Sequence, residues 1–188
     1  AQTNGTVTAA EADITISGTT EQVTAAIVTE ETKAVMANGK VYLSDTGTVA
    51  ATVLSGIGET TGGVVTVNGA MTITGTTEQL TNALVTEESK VIAASANVTF
   101  TDNPTGAQLA AINPKVGGTI TLNQVAQTFT GTAEQMQAAF NGGLAGTQTG
   151  AVTISDTTGT IAATTLTDIT AQTNGTVTAA EADITISG

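Results

Sequence analysis

The chain has 188 residues, in which 16 acidic side chains stand against four lysines, for a formal net charge of −12. With no arginine and no basic stripe, the composition excludes nucleic acid and anionic membrane as partners, and no apolar run is long enough to insert into a bilayer. The lack of Cys and His excludes disulfides, thiolate or histidine metal sites and the usual nucleophilic triads.

Repetition organises the rest. The first eighteen residues, AQTNGTVTAAEADITISG, recur unchanged as Ala171 to Gly188, so the chain holds one long period of about 170 residues and the opening of the next. Within it, ISGTTEQVTAAIVTEETKAV from Ile16, ITGTTEQLTNALVTEESKV from Ile73 and FTGTAEQMQAAF from Phe129 mark a period of about 55 to 58 residues. The expected boundaries are 1–57, 58–112 and 113–170, with 171–188 starting another long repeat. Each medium unit splits into two half-units, which begin near Asp13, Lys40, Met71, Asn97, Gln127 and Val152.

In chain order, Thr6-Val7-Thr8 reads as a short strand, and the first half-unit follows with Ile14/Ile16 facing inward. Thr19-Thr20-Glu21-Gln22 fits a capping box, and Val23/Ala26/Ile27 supply one face of a short helix. Ala34-Val35-Met36 then closes the unit as a strand. The second half-unit turns Val41/Leu43 inward, runs Val49/Val53/Leu54/Ile57 along a helix, and closes with Val64–Val67 after the Gly62-Gly63 turn.

The third repeats the first, with Met71/Ile73, the box Thr76-Thr77-Glu78-Gln79, the face Leu80/Ala83/Leu84 and the strand Val91-Ile92-Ala93. The fourth has Val98/Phe100 inward, a helix start at Asn103-Pro104, the face Leu109/Ile112 and the strand Gly118–Leu122. In the fifth, Gln127/Phe129 point inward, and Gln127, the one polar residue there, is expected at an edge or hydrogen-bonded. The box Thr132-Ala133-Glu134-Gln135, the face Met136/Ala139/Phe140 and a loop over 141–146 follow. The sixth has Val152/Ile154 inward, Ile161/Leu166/Ile169 on a helix and Thr176-Val177-Thr178 as the closing strand.

Sequential strand–helix–strand units with parallel strands predict a right-handed α/β solenoid, parallel β-helix-like, of about six coils per long repeat. Ile14, Ile16, Val41, Leu43, Ile73, Val98, Phe100, Phe129, Val152 and Ile154 should form one core, with Thr15, Thr72 and Thr99 outside it. Both ends are ordinary repeat sequence, which predicts covalent continuation or end-to-end stacking on other copies of the chain.

No pattern of catalytic side chains emerges. The adjacent pairs Glu30/Glu31 and Glu87/Glu88, each followed by a lysine (Lys33, Lys90), read as solvated loops. Asp45, Asp102 and Asp156 end the strands of every second half-unit, where Gly18, Gly75 and Gly131 end the others. In so acidic a chain these aspartates are the calcium candidates. Yet two strand layers separate them by about 9–10 Å, too far to share an ion whose ligands sit at about 2.3–2.6 Å. Capping of the helix that follows accounts for them better, so no metal, cofactor or enzymatic activity is expected. The recurring Thr-x-Thr pairs, such as Thr72/Thr74, Thr99/Thr101 and Thr128/Thr130, raise ice binding as an alternative.

The alternation of ISGTTEQVTAAI with VYLSDTGTVAATVLSGI resembles, over the whole chain, the tandem repeats of very large secreted bacterial surface and matrix proteins, cyanobacterial ones among them. The resemblance implies an extracellular, cell-surface location and a structural or adhesive role, and it brings no active-site residues. A filament, matrix fibre or stalk is the expected function, with the shaft of a large adhesin as its nearest alternative.

Overall fold

Short alternating segments and short capped helices succeed one another along the chain, neither long enough to be stable alone. The computed structural model describes residues 7–9, 14–29, 34–179 and 183–188. Among them the order is β1 (Val7–Ala9), β2 (Thr15–Gly18), α1 (Thr20–Ile27), β3 (Ala34–Met36), β4 (Lys40–Leu43), β5 (Thr48–Ala50) and α2 (Ala51–Thr60). Next come β6 (Val65–Val67), β7 (Thr72–Gly75), α3 (Thr77–Leu84), β8 (Val91–Ile92), β9 (Asn97–Phe100) and α4 (Gly106–Ile112). The series ends with β10 (Ile120–Thr121), β11 (Phe129–Gly131), α5 (Ala133–Phe140), β12 (Val152–Ile154), β13 (Gly159–Ala162), α6 (Ala163–Ala171), β14 (Val177–Ala179) and β15 (Ile184–Ser187).

The strands form parallel sheets in the orders β1-β3, β2-β4-β6-β8, β5-β7-β9-β10, β11-β12-β14 and β13-β15. Within each sheet, successive strands therefore come from successive units along the chain, as Ile16 pairs with Val41, Val41 with Val65, and Val65 with Val91. The chain is an α/β protein of repeated parallel strand–helix–strand units in several small parallel sheets. No helix of the described residues is long and apolar enough to cross a membrane.

Burial follows the alternation. Val41, Leu43, Met71, Ile73, Val98, Phe100, Phe129, Val152 and Ile154 are all buried, in one cluster that extends from Val23 to Ile169. Thr15 is exposed, and Thr72 and Thr99 are half-buried. Phe129 and Phe140 meet edge to face with centroids 5.2 Å apart, fixing α5 on its strand. Ile16 is only half-buried and Ile14 is 40% exposed, contrary to the expected core. The reason is position: among the described residues β2 is an edge strand, paired on one side alone. Gln127 is buried, and its Nε2 donates to the Pro104 carbonyl at 2.9 Å.

Three elements differ from the sequence reading. Val49 and Ile161 lie on strands, β5 and β13, that run straight into α2 and α6. Their β-branched side chains are claimed by parallel pairing with β7 and β15 before the helix begins. The N-cap of α4 is Thr105, not Asn103: Thr105 and Gln108 make a reciprocal capping box, and Pro104 lies before it. The expected strands near Thr6 and at the end of the chain are present as β1 and β14 from Val7 and Val177 onward, while Thr6 itself lies outside the described residues.

Ile73, fully buried between Val49 and Val98 in its sheet, is a sensitive position. Ile73→Asp places a carboxylate with no partner between two units, and urea denaturation should show a loss of about 4 kcal/mol or outright unfolding. Thr99→Ser, on the outer face, should shift the midpoint by less than about 0.5 kcal/mol.

Candidate functional site: the junctions between units

Alternation of Gly and Asp at the strand ends builds two kinds of unit. In α1, α3 and α5 the N-cap threonine (Thr19, Thr76, Thr132) accepts from the N3 amide while the N3 glutamine returns to the cap amide. That glutamine folds back over the strand end. A Cβ at Gly18 would come within 2.9 Å of Gln22 Oε1, and one at Gly75 within 3.0 Å of Gln79 Oε1. Glycine leaves room for the box.

The aspartates of the other units reach backward. The amide of Thr20, the first residue of α1, donates to Asp45 Oδ2 at 2.7 Å, and Thr20 Oγ1 donates to Asp45 Oδ1 at 3.1 Å. Asp102 Oδ1 accepts from both the amide and the hydroxyl of Thr77 at 2.7 Å. Asp156 Oδ2 accepts from the Ala133 amide at 2.7 Å. Each carboxylate thus caps a helix that begins 23 or 25 residues before it, not the helix that follows. The sequence reading had the role right and the direction wrong. The carboxylate satisfies a donor that the capping box leaves free, and its charge lies at the positive end of the helix.

Other junctions are tied at helix C-termini. Lys90, at φ 53°, donates through Nζ to the Gly58 carbonyl of α2 at 3.3 Å and to the Glu88 carbonyl at 2.9 Å. Asn113 Nδ2 donates to the Ala138 and Ala139 carbonyls of α5 at 2.9 and 3.1 Å. Two buried threonines, Thr61 and Thr173, went unnoticed in the sequence. Thr61 Oγ1 donates to the Gly39 carbonyl, and Thr173 Oγ1 to the Gly150 carbonyl at 3.0 Å. Both then accept from the amide two residues on, at Gly63 and Gly175. The signal was a Thr-x-Gly at the start of a turn. Gly150 and Gly175 are required by the stacking, since a Cβ on either would collide with the carbonyl of Gln127 or of Gly150.

Among the described residues no group of three or more acidic side chains could hold a metal ion. Glu87 and Glu88 are exposed on a single 3-10 turn, and Glu30, Glu31 and Lys33 lie outside the described residues. Outward threonines stack as Thr74, Thr99 and Thr121 in one sheet and as Thr130, Thr153 and Thr178 in another. In the sheet of β2 the corresponding column reads Ser17, Tyr42, Thr66, Ile92. The hydroxyl array is therefore broken between sheets. Compared with family models, curated proteins and solved structures, the chain matches none.

The aspartate junction is testable. Asp102→Ala should cost about 1–2 kcal/mol by urea denaturation with the slope unchanged, and Asp102→Asn less, since an amide oxygen still accepts from Thr77. EDTA should leave the melting temperature within about 1 °C, because these carboxylates are already spent on helix amides; a drop as large as that from loss of a structural metal would restore the calcium reading.

Proposed function

We propose that this chain is a stretch of a right-handed α/β solenoid whose function is to span distance: an extracellular filament, matrix fibre or surface stalk without catalytic chemistry. The observation that carries this reading is the parallel pairing of each strand with one a unit further on, from β2 through β8 and from β5 through β10. Parallel pairing in one sense, repeated, makes each unit the template for the next, and right-handed crossovers are the near-universal hand for such connections. The boundaries of the chain's repeats at 57, 112 and 170 then mark pairs of coils.

Three further observations support it. The polar side chains best placed for chemistry are committed to backbone donors and acceptors of adjacent units. The net charge of −12 keeps such a rod dispersed and resists lateral sticking. The outer face is broken by Tyr42 and Ile92, which favours a structural over an ice-binding surface. The shaft of a large adhesin is the same object with a different tip.

Electron microscopy and fibre diffraction of the native material test the reading. The expected result is a thin, unbranched particle with a strong reflection near 4.8 Å along its axis, the spacing of stacked parallel strands. Discrete, unassembled molecules of about this chain's size would refute it.

A further inference from the structure

Asparagine is followed by glycine at five places in the chain, Asn4, Asn38, Asn68, Asn141 and Asn174. In such a pair the backbone amide of the glycine can attack the asparagine side chain unhindered by a side chain of its own. A folded chain permits this where two conditions hold. The amide proton must be free for base to remove, and the side-chain carbonyl must be able to take up charge. Asn4 lies outside the described residues; at the other four pairs the fold sets these conditions differently.

At three of them the amide is withheld. The Gly142 amide donates to the Phe140 carbonyl at 2.7 Å, and the Gly175 amide to Thr173 Oγ1 at 2.9 Å. Gly39 is buried against Met36, where neither base nor a turning peptide has room. Asn68 and Gly69 lie in the turn between β6 and β7, and here both conditions are met. Gly69 is exposed, and its amide donates to no group among the described residues. The Asn68 side chain folds back over the turn, its Oδ1 accepting from the Ala70 amide at 3.0 Å. The Met71 amide closes the turn on the Asn68 carbonyl at 3.1 Å. A backbone donor held at this distance from an oxygen on which charge develops is the arrangement of an oxyanion hole.

We propose that Asn68-Gly69 is a self-modification site. Base removes the Gly69 amide proton, and the nitrogen attacks Cγ of Asn68. A C–N bond forms while the carbonyl electron pair moves onto Oδ1, where the Ala70 amide holds it. The oxyanion then collapses, the side-chain amino group takes up a proton and leaves as ammonia, and a five-membered cyclic imide remains. Water opens the imide at either carbonyl, giving aspartate or isoaspartate, whose backbone runs through the side-chain carbons. The balance is one water consumed and one ammonia released. The site stands on the turn alone and does not depend on the fibre reading.

Its place gives the change a consequence. The Asn68 amide donates to the Leu43 carbonyl of one adjacent unit at 3.0 Å, and the Met71 carbonyl accepts from the Asn97 amide of the other at 2.9 Å. A Cβ on Gly69 would come within 2.9 Å of Ser95 Cβ, so the turn lies directly against that of the next unit. Isoaspartate lengthens the backbone here by a methylene and adds a negative charge to a chain already at −12. The bonds on the two sides of the turn cannot both be kept, and the stack loosens between units.

The test is peptide mapping by mass spectrometry after incubation of the folded 188-residue chain at mildly alkaline pH. Cleavage after lysine places Asn68 in the fragment 41–90, apart from Asn38, Asn141 and Asn174. Asn68 should convert about tenfold faster than these three, a modest share of what an oxyanion donor supplies in an enzyme. In urea the four rates should converge. Equal rates in the folded chain, or an Asn68 slower than the others, would overturn the proposal. The aged chain should also melt at a lower temperature than the fresh one. Asn68→Ser, which keeps an acceptor in the turn but has no amide to lose, should show no such fall when aged alike. An equal fall in Asn68→Ser, or none in a chain converted at Asn68, would overturn the loosening of the stack.

Discussion

Parallel pairing of strands from successive units is the constraint from which the rest follows. It fixes the separation of strand layers at about 4.8 Å, while helices pack at about 8–10 Å. The chain cannot satisfy both with one strand column and one helix row. The helices begin at Thr20, Ala51, Thr77, Gly106, Ala133 and Ala163, mostly more widely spaced than strand partners such as Ile16 and Val41 or Ile73 and Val98. A strand column therefore falls steadily behind the helices. β2 abuts α1, but β8, three partners on in the same sheet, lies well ahead of α4 in the chain. New columns open with β5, β11 and β13, directly before α2, α5 and α6. Several small sheets instead of one long one are the result.

The same constraint explains why two kinds of unit alternate. Where the strand runs straight into the box, at α1, α3 and α5, glycine stands at its end, because the returning glutamine occupies the space of a side chain. The first amide of each of these helices is still without an acceptor, and Asp45, Asp102 or Asp156 of the following unit provides one. Paired units are thereby joined through α1, α3 and α5, while Lys90 and Asn113 make the ties between one pair and the next. Nearly every such bond crosses a unit boundary. Stability then accrues at interfaces and belongs to no unit singly.

Much of the fold was legible because it is written locally. The inward pairs from Val41/Leu43 to Val152/Ile154, the capping boxes of α1, α3 and α5 and the strand at Ala34–Met36 all follow from residues within one turn or one strand of each other. One local signal was passed over, the Thr105–Gln108 box behind Asn103-Pro104; the rest of what escaped was set by partners about a unit away. Val49 and Ile161 fit a helical face on their own sequence, and only pairing with β7 and β15 makes them strand residues. The aspartates were singled out as calcium candidates and as caps, but a cap 25 residues upstream leaves no local signature. Thr61 and Thr173 were hidden among the many other threonines for the same reason. Ile14 failed as a core residue because burial at a sheet edge depends on a second strand, not on the alternation that marks it.

If interfaces carry the stability, lengthening the array must strengthen it. The most direct measurement compares urea unfolding of the 188-residue chain with that of a chain in which residues 19–188 are appended once more, so that the middle copy of the eighteen-residue segment has strands on both edges. The account predicts a higher midpoint and a steeper transition for the longer chain, with the largest gain in protection from hydrogen exchange at that middle segment. Identical midpoints and slopes, with no added protection there, would contradict it and show that each long repeat folds as an independent body.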